Sequence, residues 1–182
     1  SLGARVTNIA FDAAENARLL NPRGLIIAAE AYTLNRRLLD QHFDDLDPVV
    51  AHRMVKGRDV PAHEYLQTTL DWKRVRAEAL EQMHGFDALL CPSTMVPALP
   101  LAAADSDIES YSDANLKCLR NTAIGNVLDL CGLSVPCGRT GGGLPIGLMI
   151  YGRPFDEGRV LRIGHAFQRA TDWHKVTPPL FP

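Results

Sequence analysis

No stretch of the sequence reaches the roughly 18 apolar residues of a membrane-crossing helix. The opening segment Ser1–Ala10 has neither the basic region nor the hydrophobic core of a signal peptide, so a cytoplasmic location is expected. An excess of one charge is also missing. The 19 basic and 21 acidic residues leave a net charge of −2, which gives no electrostatic footprint for a nucleic acid or an anionic membrane. Cysteine is sparse: Cys91, Cys118, Cys131 and Cys137 form no CxxC pair, and buried thiols are expected rather than a zinc site or a disulfide framework. Signatures of catalysis are missing as well. No serine lies in a Gly-x-Ser-x-Gly elbow, and the six histidines form no HExxH or facing i,i+4 pair. No metal or cofactor is expected. The glycines between Gly138 and Gly147 lack the Gly-Lys-Ser/Thr of a phosphate loop and read as a turn. Asp105, Asp107 and Glu109 lack the glycine and terminal glutamate of a calcium loop and read as a solvated acidic loop.

What is present is an ordinary globular composition, 46% apolar and 22% charged over 182 residues, enough for one domain with a buried core. The opening Ser-Leu-Gly-Ala-Arg-Val carries no initiator Met and reads as the approach to a strand, as in a segment of a longer chain. A short strand is expected over 4–11, then a helix opened by the Asp12-x-x-Glu15 start signal and ending at Asn21-Pro22. Apolar residues at helical spacing (Leu25, Ala28, Ala29, Tyr32, Leu38, Leu39) predict an amphipathic helix over 24–43. Pro48 opens another, which Gly57 is placed to close with a positive φ. The longest helix is expected over 62–84, with Gly85 as its stop.

The continuous apolar run Ala88–Cys91, bounded by Asp87 and Pro92, predicts a strand covered on both faces in the middle of a sheet. Residues 92–111 read as a surface loop, followed by a helix over 113–130 that Gly132 ends. Strands over 133–135 and 144–151, joined by the Gly141-Gly142-Gly143 turn, predict a hairpin. A last helix is expected over 156–171, and residues 172–182 as a proline-rich extended tail. Strands alternating with long helices predict an α/β fold.

Three segments go further. Phe86-Asp-Ala-Leu-Leu-Cys-Pro-Ser-Thr, then Asn126-Val-Leu-Asp-Leu-Cys-Gly-Leu-Ser-Val-Pro-Cys-Gly, then Gly143-Leu-Pro-Ile-Gly-Leu-Met-Ile-Tyr-Gly resemble, in order and spacing, boxes of the C-terminal half of amidase signature enzymes. The resemblance covers essentially the whole chain. It implies a single partial domain, 1–182, of the amidase signature fold: a mixed sheet flanked by helices. It also implies hydrolysis of a carboxylic amide by a Ser-Ser-Lys mechanism. A buried neutral lysine relays the proton there, and preorganised amides stabilise the tetrahedral oxyanion.

Those catalytic parts belong to the family's N-terminal half. This sequence has no Gly/Ser-rich stretch and no lysine before Lys56, so no catalytic residue is assigned and the chain alone is expected to be inactive. The resemblance instead assigns pocket wall. Thr94, Met95 and Val96 are placed in the loop after the first box strand, and Leu116, Leu119 and Thr122 on one face of the following helix, with core packing as the alternative for each. Leu119 stands where the glutamine-hydrolysing subunit of tRNA-dependent amidotransferases has an acid, and Arg76 where it has a carboxylate-binding arginine. Leu128-Asp129-Leu130-Cys131 replaces the usual Gly-x-Pro, which puts the conformation of that loop in question. The implied partners are a small-molecule amide, the missing N-terminal half of the same protein and, in a homodimer, a second copy. The alternative reading is a non-catalytic binding or assembly module, or a subunit of a glutamine-dependent tRNA amidotransferase.

Overall fold

The computed structural model describes residues 3–21, 24–103 and 108–177. The chain forms two compact units, one of Asp12–Glu78 and one of Ser1–Phe11 with Ala79–Pro182.

The first unit is helical. It holds α1 (Asp12–Leu20), α2 (Leu25–His42), α3 (Pro48–Val55) and most of α4 (Ala62–Gln82). Pro48 opens α3 as expected. Asp47 before it caps the helix, its Oδ1 accepting from the amides of Val49 and Val50 at 3.0 Å each. Gly57 does not close α3 by a positive φ. The helix passes into a short 3-10 segment, Lys56–Asp59, and Gly57 is needed because its Cα lies against α2: a Cβ would sit 1.9 Å from the Ala28 carbonyl oxygen. Close approach, rather than turn chemistry, selects glycine there. Tyr65 donates to Glu30 Oε1 at 3.0 Å and ties the start of α4 to α2. The end of α1 at Leu20 agrees with the expected stop, although Pro22 itself lies outside the described residues.

The second unit is built on a three-stranded antiparallel sheet: β1 (Leu89–Pro92), β2 (Cys131–Arg139) and β3 (Pro145–Gly152), in the order β1-β3-β2. The predicted hairpin is present. β2 and β3 are joined by a turn in which Gly143, at φ 84°, donates to the Thr140 carbonyl, and Thr140 to that of Leu144. The pairing register carries a bulge between Pro136 and Gly138, where proline cannot donate to the ladder. The portion of the expected mixed sheet held by these strands consists of antiparallel pairs alone.

Two expectations about strands are corrected. Residues 4–11 pair with no strand and are almost entirely exposed. Among the described residues β1 is an edge strand, not a central one; the centre belongs to β3, and Leu90 is 47% exposed. An apolar run reports what a strand avoids, not its place in the sheet order.

One face of the sheet is covered by α6 (Glu157–Ala170). Val135, Ile150 and Val160 form its core, with Leu133, Leu148, Ile163 and Phe167 packed around them. Gly164 lets α6 approach, since a Cβ there would meet Leu133 Cδ2 at 2.4 Å. On the other face lies α5 (Ile108–Leu128), which begins inside the stretch read from sequence as loop. Gly132 does not end it: Asp129 does, at φ 56°, with the Leu130 amide returning to the Gly125 carbonyl at 3.0 Å in a Schellman-type cap. That is the conformation the Gly-x-Pro replacement adopts. Gly85, at φ 84°, follows α4 as expected. In the expected tail, Trp173–Lys175 make a short 3-10 turn rather than extended chain, and residues 178–182 lie outside the described residues, as do Asp105 and Asp107 of the expected acidic loop.

Candidate functional site

The expected pocket residues lie on two neighbouring pieces of the second unit, the loop that leaves β1 and the helix α5. Ala114, Gly125 and Leu128 of α5 are buried, at spacings that keep them on one side, and Gly125 lies against Tyr151 of the sheet. Leu116 and Leu119 therefore fall on the other side, 62% and 47% exposed, and neither belongs to the core of this unit. Thr122 is half-buried, and its hydroxyl donates back to the Leu119 carbonyl at 3.0 Å. In the loop, Thr94 donates to the Val96 carbonyl at 2.7 Å and closes a tight turn. Both threonine hydroxyls are thus committed as donors within the chain.

Two contacts join the end of β1 and the loop after it to the helix. Asn121 Nδ2 donates to the Pro92 carbonyl at 2.8 Å, and Arg120 Nη1 contacts Met95 Sδ at 2.9 Å. A third fixes the helix to the sheet: the Tyr151 hydroxyl donates to the Asn121 carbonyl at 2.8 Å. The Tyr151 ring, only 5% exposed, lies against two glycines. A Cβ on Gly125 would come within 2.4 Å of its Cε1, and one on Gly132 within 3.0 Å. Burial raises the Tyr151 phenol pKa, with the neighbouring Cys91 adding to the shift, and burial also raises the Cys91 thiol. Burial thus disfavours the ionised form of both groups.

Next to the loop the structure brings together two serines that sequence reasoning did not connect. Ser93, 9% exposed, and Ser134 share a hydrogen bond of 2.5 Å over Gly147, where there is no room for a side chain. They are 41 residues apart and meet because β1 and β2 flank β3. The only signal in the sequence was the serine within each of two boxes. Among the described residues no lysine or histidine bonds either hydroxyl.

A cleft of about 470 Å³ opens elsewhere, around Asp87, Arg153 and Arg159, and includes none of the expected pocket residues. Its cations are engaged. Arg153 donates to the Met83 carbonyl at 2.8 Å at the end of α4, while Arg159 binds Asp156 at 2.7 Å and pairs with Asp87. This network joins the β3–α6 turn to the approach of β1. No group of three or more His, Cys, Asp or Glu side chains suited to a metal occurs among the described residues, and no described helix is long and apolar enough to cross a membrane. Arg76, on the helical unit, stacks over Trp72 at 5.6 Å.

Comparison with known proteins bears on this arrangement. The family model described as Amidase matches residues 5–161. The 2-amino-5-chloromuconic acid deaminase of Comamonas testosteroni is 35% identical over 185 residues, covering 93% of this chain and 39% of that protein. A glutamyl-tRNA(Gln) amidotransferase subunit from Myxococcus xanthus is 41% identical over 106 residues, 58% of this chain and 21% of that one. Among solved structures, 6-aminohexanoate cyclic dimer hydrolase superposes with a TM-score of 0.82 at 19% identity, over 100% of this chain and 40% of its own. The chain thus spans about two fifths, or less, of the length of these proteins.

Proposed function

Since the chain belongs to the amidase family, we propose that it forms the C-terminal part of an enzyme that hydrolyses a carboxylic amide C–N bond, with the nucleophile and its base supplied by residues outside this sequence. The family match across residues 5–161 carries this reading. Both units then belong to one partial domain. The loop after β1 and the exposed side of α5 form wall of the acyl pocket: Met95, Val96, Leu116 and Leu119 offer apolar surface, while Thr94 and Thr122 brace the backbone around them. A Ser-Ser-Lys centre facing that wall would attack the carbonyl, pass the proton through the second serine and the lysine to the leaving amine, and release the acid after water attacks the acyl-enzyme. The partners that follow are a small amide and the complementary half of the same protein, in the cytoplasm.

A second reading, a subunit of a glutamine-dependent tRNA amidotransferase, draws on the likeness to the Myxococcus xanthus protein. It is the weaker of the two, because that likeness covers 58% of the chain and an apolar Leu119 offers no charge to a glutamine amino group. The Comamonas testosteroni relative is named for a muconic acid, so acidic substrates belong in any test. The test is ammonia release from a panel of aliphatic, aromatic and acidic amides, by the complete protein and by residues 1–182 alone. Turnover by the complete protein and none by the segment is expected. No turnover by the complete protein, or turnover by segment material free of it, would overturn the proposal.

A further inference from the structure

One cation on this wall bears on which acyl groups it receives. Arg120 follows Leu119 on α5, four residues after Leu116, and is exposed on the same side of the helix. Its Nη1 meets Met95 Sδ at 2.9 Å. A thioether is a weak acceptor and takes one of the five donors that a guanidinium carries. Among the described residues Arg120 has no carboxylate partner, whereas Lys117, the other cation of the helix, stands 3.5 Å from Asp113.

The thioether contact therefore positions the guanidinium over the loop without neutralising it, and leaves its planar fork open to a bidentate anion. Leu116 and Leu119 supply apolar surface beside the fork. A wall of this kind, greasy with one fixed positive charge, fits a ligand that is a hydrocarbon chain ending in a carboxylate. An uncharged aliphatic amide would leave the cation unused.

We propose that Arg120 binds a substrate carboxylate, so that the amide processed is a monoamide of a dicarboxylic acid or a close analogue. This rests on the amide-hydrolase reading and on Leu116 and Leu119 lining its pocket. The experiment uses the complete protein, unsubstituted and as Arg120→Gln and Arg120→Lys. Succinamic, glutaramic and adipamic acids are compared with butyramide, valeramide and hexanamide, and the binding of succinate, glutarate and adipate is measured by calorimetry. Loss of a charge-assisted bidentate contact predicts a fall of about ten- to a hundredfold in kcat/KM for the acidic amides with Arg120→Gln. The neutral amides should lose much less, dicarboxylate binding should weaken in parallel, and Arg120→Lys should restore part of the loss. Equal losses on both series, or no loss on the acidic one, would overturn the assignment. If the complete protein hydrolyses none of the amides, the hydrolase reading fails and calorimetry decides the rest. Dicarboxylate binding abolished by Arg120→Gln sustains the anion site, and binding that is absent from the unsubstituted protein or indifferent to the substitution refutes it.

Discussion

Replacing Gly125 by alanine sets two opposed effects against each other. Gly125 is inside α5, where alanine is favoured over glycine by up to about 1 kcal/mol. The new methyl would, however, lie 2.4 Å from Tyr151 Cε1 and 3.0 Å from both Cζ and the hydroxyl oxygen. That ring cannot step aside. It is buried, and its hydroxyl is bonded to the Asn121 carbonyl. Overpacking of this kind costs about 1–3 kcal/mol, so Gly125→Ala should destabilise the protein. In a Tyr151→Val background the three clashing atoms are gone and only the helical preference remains. The same Gly125→Ala change should then stabilise by about 0.5–1 kcal/mol. Urea unfolding of the four proteins of this cycle measures the coupling, with the sign reversal as the decisive result. A Gly125→Ala effect of the same size and sign in both backgrounds would show that the ring does not set the position of α5.

Two further outcomes are expected. In the complete protein, Leu119→Asp should cost about 1–3 kcal/mol of transition-state binding for an aliphatic amide, through a desolvated charge against an apolar acyl group. Steady-state kinetics on that amide and on glutamine check it, and unchanged kcat/KM for both would remove Leu119 from the pocket. Tyr151 and Cys91 both have raised pKa values in the folded state, so between the ordinary and the folded values the folded protein holds more protons than the unfolded chain. Stability should therefore fall as pH rises above about 9. The decline should be shallower in a Tyr151→Phe, Cys91→Ala variant, and urea midpoints that fall equally steeply in both proteins would contradict the account.

The sequence made some of this architecture legible because certain residues have few uses. Gly85 after a long helix read as a stop and the triple-glycine stretch as a turn, and Gly85 and Gly143 serve those places with a positive φ. Gly57 and Gly132 bear the same letter for another reason, the nearness of Ala28 and of Tyr151, which depends on elements distant in sequence. The edge position of β1 was hidden likewise, since strand order follows from which strand finds β3, not from the apolar content of 88–91. On the candidate wall, helical spacing placed Leu116 and Leu119 on one side of α5. Arg120 passed unnoticed because an arginine after a leucine on a helix usually marks a solvated face; its contact with Met95, and with no acid among the described residues, appears only in the structure.

Asn121 holds α5 twice over, through its side chain to the end of β1 and through its carbonyl to Tyr151 of β3. A slide of one turn or a modest roll of the helix would break both attachments at once. Neither attachment involves positions 116 and 119, so on the proposed acyl-pocket reading those two can be rewritten like type in a locked forme, and a new acyl preference obtained, with no adjustment of the helix that carries them.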